Sequence, residues 1–310
     1  MSLDVGPGAT PVGGARALLR GFVEGARDAL ADGLGALADL RRRPVRRPLP
    51  KVVRAGWFEI AAFAALAFGV VAAAMLLVDP LTPGIRPRLP AGVVILTERL
   101  TDLGLGSVVL WPLGLALVAV LVLRRQLAAA FDDMGRRVAS ALLARLGFLF
   151  LSVAGAGLLV TVVKRLIGRA RPHVALRLPG AEPQLTFDWL SWKASYASFP
   201  SGHSTTVFAT AVAFALLFPR ARWPLLALAV LVAATRVVLG AHYPSDVIAG
   251  ACVATAFVLW MAKVFAARRL VFRVDARGAI APMAGPSARR LGRLLPWSGR
   301  SPVPLEEARS

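Results

Sequence analysis

The sequence predicts an all-α integral membrane protein built as a bundle of six transmembrane helices, and three observations carry that prediction. Hydrophobic residues make up 57% of the chain and charged residues 17%, with a mean hydropathy of +0.65, which is too apolar for a soluble globule. The apolar residues gather into low-charge runs at 57–78, 106–123, 139–163, 204–218, 223–240 and 245–265. Most of these approach the roughly 20 helical residues that cross a bilayer core of about 30 Å. The excess positive charge, +20 net, collects in four arginine-rich clusters at alternate ends of the runs, as the positive-inside rule requires of cytoplasmic connections.

In chain order, residues 1–14 are rich in glycine and proline and are expected to lack fixed structure. From 17 to 40, Leu19, Phe22, Ala26, Leu30, Leu34 and Leu37 recur at helical spacing, with Arg20, Glu24, Arg27 and Asp28 opposite. This is either an interfacial helix on the cytoplasmic leaflet or an extension without a role. Arg41, Arg42, Arg43, Arg46, Arg47, Lys51 and Arg54 precede the first span, and their charge can also meet anionic headgroups. Residues 1–55 therefore read as a basic cytoplasmic extension. No apolar core with a cleavage site marks a signal peptide there, so the first span itself is expected to direct insertion.

Arg124, Arg125, Arg136 and Arg137 bracket a predicted loop over 124–138, Arg220 and Arg222 occupy the next cytoplasmic connection, and Arg268, Arg269 and Arg273 follow the last span. The run after His203 is short, ending at Phe218 and Pro219. It reads as a helix that starts below the headgroups and holds His203 in a recessed polar cavity. The six spans fill 56–266. Residues 267–310, with repeated Pro, Gly and Arg, read as a basic, mostly disordered cytoplasmic tail. Cys252, the single cysteine, lies inside an apolar run as a small core residue and offers no disulfide. Topology accounts for the basicity, so the expected partner is the bilayer and not nucleic acid.

With both termini in the cytoplasm, the connections 79–105, 164–203 and 240–245 lie on the opposite face. Three short runs reach that face: Lys164-(six residues)-Arg171-Pro172; Pro200-Ser201-Gly202-His203; and Thr235-Arg236-(five residues)-His242-(three residues)-Asp246. A phosphoryl group in transfer spreads negative charge over its equatorial oxygens, so catalysis is largely positioning plus fixed positive charge. Lys164, Arg171 and Arg236 supply that charge, arginine as a planar fork and lysine as a point charge. Lys164 and Arg171 are two helical turns apart and face one way if the helix continues to Pro172.

Ser201 is placed to N-cap a helix, whose first N–H groups suit a phosphate, and Gly202 permits close backbone approach. His203 can donate a proton to a leaving oxygen. His242 is the candidate nucleophile, because a neutral imidazole attacks phosphorus to give a phosphohistidine that water can hydrolyse. Asp246 can fix its tautomer, or serve only as a helix-start carboxylate favoured by the macrodipole. Pro244 suits a first helical turn. His173 is an extra substrate contact or a loop residue, and Arg169 a possible further phosphate ligand. Trp189, Trp192 and Tyr196 either line a lipid entrance or anchor the interface. Asp132 and Asp133 fall on the cytoplasmic side as a solvated loop. No carboxylate or histidine group has metal-ligand spacing, so neither metal nor cofactor is expected.

Together the three runs resemble the signature motifs of the type 2 phosphatidic acid phosphatase (PAP2) superfamily, whose members include bacterial lipid phosphatases, glucose-6-phosphatases and vanadium haloperoxidases. The resemblance covers 164–246 and implies a PAP2/haloperoxidase-like core within the six-helix bundle. It implies that Lys164, Arg171, Ser201, Gly202 and Arg236 bind phosphate, that His203 protonates the leaving group, that His242 attacks, and that Asp246 orients His242. The third motif usually begins Ser-Arg, and here it is Thr235-Arg236, a departure touching only fine geometry.

The expected protein is a metal-independent phosphatase of lipid phosphate monoesters or pyrophosphates, acting on the non-cytoplasmic face. Undecaprenyl pyrophosphate, phosphatidic acid, phosphatidylglycerol phosphate and lipid A phosphate all fit as substrates. High Ala and Arg usage with short loops suggests a bacterial inner membrane and favours undecaprenyl pyrophosphate. Two alternatives are a lipid phosphotransferase, in which a hydroxyl instead of water accepts the phosphoryl group from His242, and a non-catalytic membrane protein of the same fold.

Overall fold

The computed structural model describes residues 57–82, 84–175, 177, 182–275 and 279–286, together with Arg27, Ala31, Gly35 and Ala38, which are helical. The rest of the expected 17–40 helix lies outside the described residues, as do residues 1–14, the tail beyond 286, and the side chains of Asp132 and Asp133.

Among the residues from 57 onward that the structure describes, seven α-helices form. They are α1 (Trp57–Leu77), α2 (Ala91–Thr101), α3 (Gly106–Ile167), the short α4 (Pro172–Ala175), α5 (Gly202–Leu217), α6 (Arg222–Val238) and α7 (Pro244–Ala267). Among the described residues, five segments are long and apolar enough to cross a membrane: Phe58–Leu81, Ala91–Arg124, Met134–Ile167, Pro219–Val238 and Pro244–Ala267. Their surfaces are apolar too, with Phe58, Leu66 and Phe68 of α1 all more than two-thirds exposed, a pattern that suits lipid and not water. The fourth run, α5, has 16 residues, seven of them buried.

The predicted 124–138 loop is not a break in secondary structure. Helix α3 runs for 62 residues through it. Clustered arginines end an apolar span, but they are good helix formers, and this stretch contains no proline. The two apolar arms of α3 nevertheless lie side by side. A Cβ on Gly114 would sit 3.5 Å from the Phe150 ring, whereas in one straight helix these residues would be about 54 Å apart. Val109, Leu110 and Leu113 of the first arm pack on the buried cluster around Phe148, Leu149 and Val153 of the second.

By contact density the chain divides into two units. One comprises 1–43, 117–143 and 286–310, with Leu121, Val138, Ala139 and Leu143 buried. The other comprises 44–116 and 144–285 and contains every residue of the three motifs. In this second unit α5 packs against both α6 and α7, α1 packs on α7, and α2 on α6. Its core joins Phe148, Leu149 and Val153 of α3 to Ala209 and Ala213 of α5 and Ala254, Val258 and Ala262 of α7. Alanines at the α5–α7 contact let the two backbones come close. A Cβ on Gly250 would meet the Ser201 carbonyl oxygen at 2.6 Å.

The segment expected to be a disordered tail starts as ordered structure. Phe272–Val274 (β1) pairs antiparallel with Ile280–Pro282 (β2), in the register Phe272 to Pro282. Phe272 is fully buried, edge-on to Phe148 with centroids 4.8 Å apart. Arg145 closes the hairpin by donating to the Met283 carbonyl at 2.7 Å. The arginine-rich composition of this stretch conceals two residues, Val271 and Phe272, that complete the core.

Candidate active site

Helix α3 carries Lys164 in its last turn and stops at Gly168, four residues short of the predicted end at Pro172. The Gly168 N–H closes on the Lys164 carbonyl at 3.1 Å with φ +58°, the left-handed C-terminal geometry that glycine adopts without strain. A Cβ there would lie 1.7 Å from the Asp188 carbonyl oxygen, so glycine is also required by the close crossing of the 184–198 loop. Lys164 and Arg171 are therefore not on one continuous helix face. Arg171 instead stands on a strand-like link, its N–H bonded to the Ser195 carbonyl at 2.9 Å and its Nε to the Ala194 carbonyl at 3.2 Å. Pro172 opens α4 instead of ending a helix.

Ser201 caps α5 as predicted, with its Oγ accepting from the Ser204 N–H at 3.4 Å. The next residue, Gly202, lies under the Lys164 ammonium, since a Cβ there would be 3.2 Å from Nζ. His203 follows, covered from the other side by Gly104, whose Cβ position would fall 3.0 Å from the imidazole. His203 lies within electrostatic reach of Arg236, His242, Lys164 and Arg171.

Helix α6 delivers Arg236 in its last turn, and its Nη1 donates to Thr101 Oγ1 of α2 at 3.0 Å. The Arg236 Nε is buried without a partner. The neighbouring Thr235 turns its hydroxyl back to the Val232 carbonyl within α6, away from the site. The chain then wraps on Arg236, whose carbonyl accepts the N–H groups of Ala241 at 3.0 Å and His242 at 3.2 Å. His242 is 3% exposed. Burial holds its imidazole below the ordinary pKa, with Asp246 opposing that effect and the Arg171 and Arg236 charges adding to it. Burial likewise lowers the pKa of Arg171.

Asp246 enters from the first turn of α7, fully buried. Its Oδ2 lies 3.5 Å from His242 Nδ1, within ion-pair reach, although that buried nitrogen makes no hydrogen bond. The same Oδ2 accepts from Ser198 Oγ at 2.6 Å and from the Tyr243 N–H at 2.9 Å. The latter bond is half of a capping box. The carboxylate beside His242 and the helix-start carboxylate are thus one and the same group.

All eight sequence-predicted site residues, Lys164, Arg171, Ser201, Gly202, His203, Arg236, His242 and Asp246, converge on one end of this bundle. A cavity of about 430 Å³ opens there, with Arg171, His173, His242 and Arg86 in its wall. His173 is consequently a wall residue in α4, its pKa lowered by burial and by Arg171 and Arg177. Trp189 and Trp192 are among the most exposed side chains.

Arg169 does not join Lys164, Arg171 and Arg236 around the two histidines. It is fully buried, and its five N–H donors meet Gln184 O twice, Ser245 Oγ, Asp246 Oδ1 and Asp79 Oδ2, at 2.6–3.0 Å. Its plane also stacks on the Tyr243 ring at 4.3 Å. Sequence reasoning missed Asp79, Ser198 and Thr101 altogether. Asp79 had one available signal, an acid followed by proline at the end of the first apolar run.

Residues 145–270 match the family model of the PAP2 superfamily. Among characterised proteins the chain is similar to the Lipid A 1-phosphatase of Rhizobium johnstonii, 46% identical over 146 residues, which is 47% of this chain and 56% of that protein. It is similar also to the Lipid A 1-phosphatase of Rhizobium etli, 46% identical over 144 residues, 46% of this chain and 58% of that one. The chain thus spans little more than half the length of these relatives.

Proposed function

We propose that the chain, whose residues 145–270 match the PAP2 superfamily model, is a membrane lipid phosphatase working through a phosphohistidine. The observation that carries this reading is the convergence of three cations and two histidines on one buried carboxylate, with His242 Nδ1 3.5 Å from Asp246. That contact leaves Nε2 as the attacking atom. In the first step its lone pair forms the N–P bond while the bond from phosphorus to the lipid oxygen breaks, and His203 gives its proton to that oxygen. In the second step a water attacks the phosphohistidine as neutral His203 takes its proton, which releases inorganic phosphate and restores both imidazoles.

Lys164, Arg171 and Arg236 hold the equatorial oxygens, joined by the N–H groups of Gly202 and its neighbours at the start of α5. The short α5 is the fourth of six spans in this reading, starting below the headgroups so that the phosphate descends to it from one leaflet. A relative's name moves lipid A phosphate ahead of undecaprenyl pyrophosphate among the candidate substrates. Purified protein in mixed micelles, given lipid A, undecaprenyl pyrophosphate, phosphatidic acid and phosphatidylglycerol phosphate, should release phosphate fastest from lipid A. No release from any of the four would overturn the reading.

A further inference from the structure

We propose that Asp79 is a positioning residue for the nucleophile, acting through Arg169 to leave the Asp246 carboxylate available to His242. The inference rests on the phosphatase reading and adds to it a residue outside all three motifs. Asp79 and Arg169 have no exposed surface, and neither reaches the cavity. Asp79 Oδ2 receives Arg169 NH2 at 2.8 Å, while Arg169 NH1 reaches Asp246 Oδ1 at 2.6 Å. Asp79 also takes the N–H and hydroxyl of Ser245. That ties the end of α1 to the first turn of α7, next to Asp246.

Charge explains the need for two carboxylates on one guanidinium. Arg169 with Asp246 alone would be a neutral pair, and Asp246 would have little left to offer an imidazole. With Asp79 present the buried cluster of Asp79, Arg169 and Asp246 carries one net negative charge beside His242. Attack on phosphorus converts neutral His242 to a cationic phosphoimidazolium, and the cluster then becomes neutral overall. Charge developing only in the transition state is what a fixed, buried counter-charge favours. Three other groups face His242, namely Arg171 from the first motif, Arg236 from α6 and His203 from α5, and none is an anion. The negative charge on this side comes from Asp79 and Asp246.

The test is Asp79→Asn, which keeps the shape and removes the charge, with Asp79→Glu as the variant that keeps the charge. Both are made in the full chain in detergent, with the thermal midpoint recorded. For Asp79→Asn, kcat should fall roughly 10- to 100-fold, by analogy with the loss of an outer partner of a metal-bound histidine, with KM within about twofold. The loss should be equal on alkyl and nitrophenyl phosphates, because the nucleophile is affected and not the acid. The acid limb of kcat/KM should move to lower pH, since an imidazolium beside a neutral cluster is less favoured. Asp79→Glu should keep the wild-type acid limb, and it decides the matter if Asp79→Asn does not fold. A folded Asp79→Asn with an unmoved acid limb, or an Asp79→Glu whose limb shifts, overturns the proposal. Wild-type protein that releases no phosphate overturns the phosphatase reading instead.

Discussion

At the residue scale, the two histidines are distinguished by what surrounds them. His242 is closed in, with Asp246 at 3.5 Å, whereas His203 sits between Gly104 and the cations at the start of α5. His242→Ala should abolish turnover of every substrate, because no covalent intermediate forms. His203→Ala should cost roughly 10²- to 10⁴-fold on alkyl phosphates, whose alkoxide needs a proton, and much less on nitrophenyl phosphate. Equal losses on the two would remove His203 from the acid role. Burial lowers the His242 pKa, so the neutral, nucleophilic imidazole persists below the ordinary histidine value of about 6.5. The acid limb of kcat/KM should accordingly lie below that value, and a profile measured from pH 4 to 8 checks it. Most of the motif residues were legible in the sequence because they are charged or imidazole groups at the edge of an apolar run, and Ser201 and Gly202 were legible beside them as a helix-start signal. Asp79 and Ser198 were not, since their partners are 90 and 48 positions away in the chain and only the fold discloses them. Arg169 was legible as a cation but not in its role, because spacing cannot say that all five donors are already used.

At the element scale, the site depends on how helices end. Gly168 stops α3 between Lys164 and Arg171, and its φ of +58° together with the Asp188 carbonyl 1.7 Å from its Cβ position admits no side chain. Gly168→Ala should therefore cost more than the roughly 1–3 kcal/mol of a strained backbone alone. The thermal midpoint in detergent should drop, and inhibition by phosphate should weaken, because the two cations flank the distorted link. An unchanged midpoint would mean that the 184–198 loop moves aside freely. Helix existence was readable from apolar run length, and the Ser201 cap from its Ser-Gly sequence. The continuation of α3 through 124–138 was not readable, because charge clustering marks where a span leaves the bilayer and not where hydrogen bonding stops. The β1–β2 hairpin escaped for the opposite reason. Two buried residues in an arginine-rich stretch fall below what composition detects.

At the scale of the whole molecule, fixed cations and topology make separate predictions. With Lys164, Arg171 and Arg236 supplying the charge at the phosphate, activity should survive chelators, and vanadate should inhibit by adopting a trigonal-bipyramidal shape with His242 on its axis. Loss of activity in EDTA that magnesium restores would show that the electrostatics need a metal. Topology gives the sharpest test. The segment Met134–Ile167 is long and apolar enough to cross the bilayer once, with Arg136 and Arg137 at its start and Lys164 at its end. A reporter fused after Arg137 and one fused after Gly180 should therefore lie on opposite faces whatever the orientation. The arginines before the first span, at 124–137, at 220–222 and after the last span then decide which face is which, and all four clusters favour the cytoplasm for the ends they occupy. The fusion at 137 should read as internal and the one at 180 as external. Two like readings would break the single-span assignment of Met134–Ile167. An inverted pair would place the site, with Lys164 and Arg171, on the cytoplasmic face and give the enzyme access only to lipids of the inner leaflet.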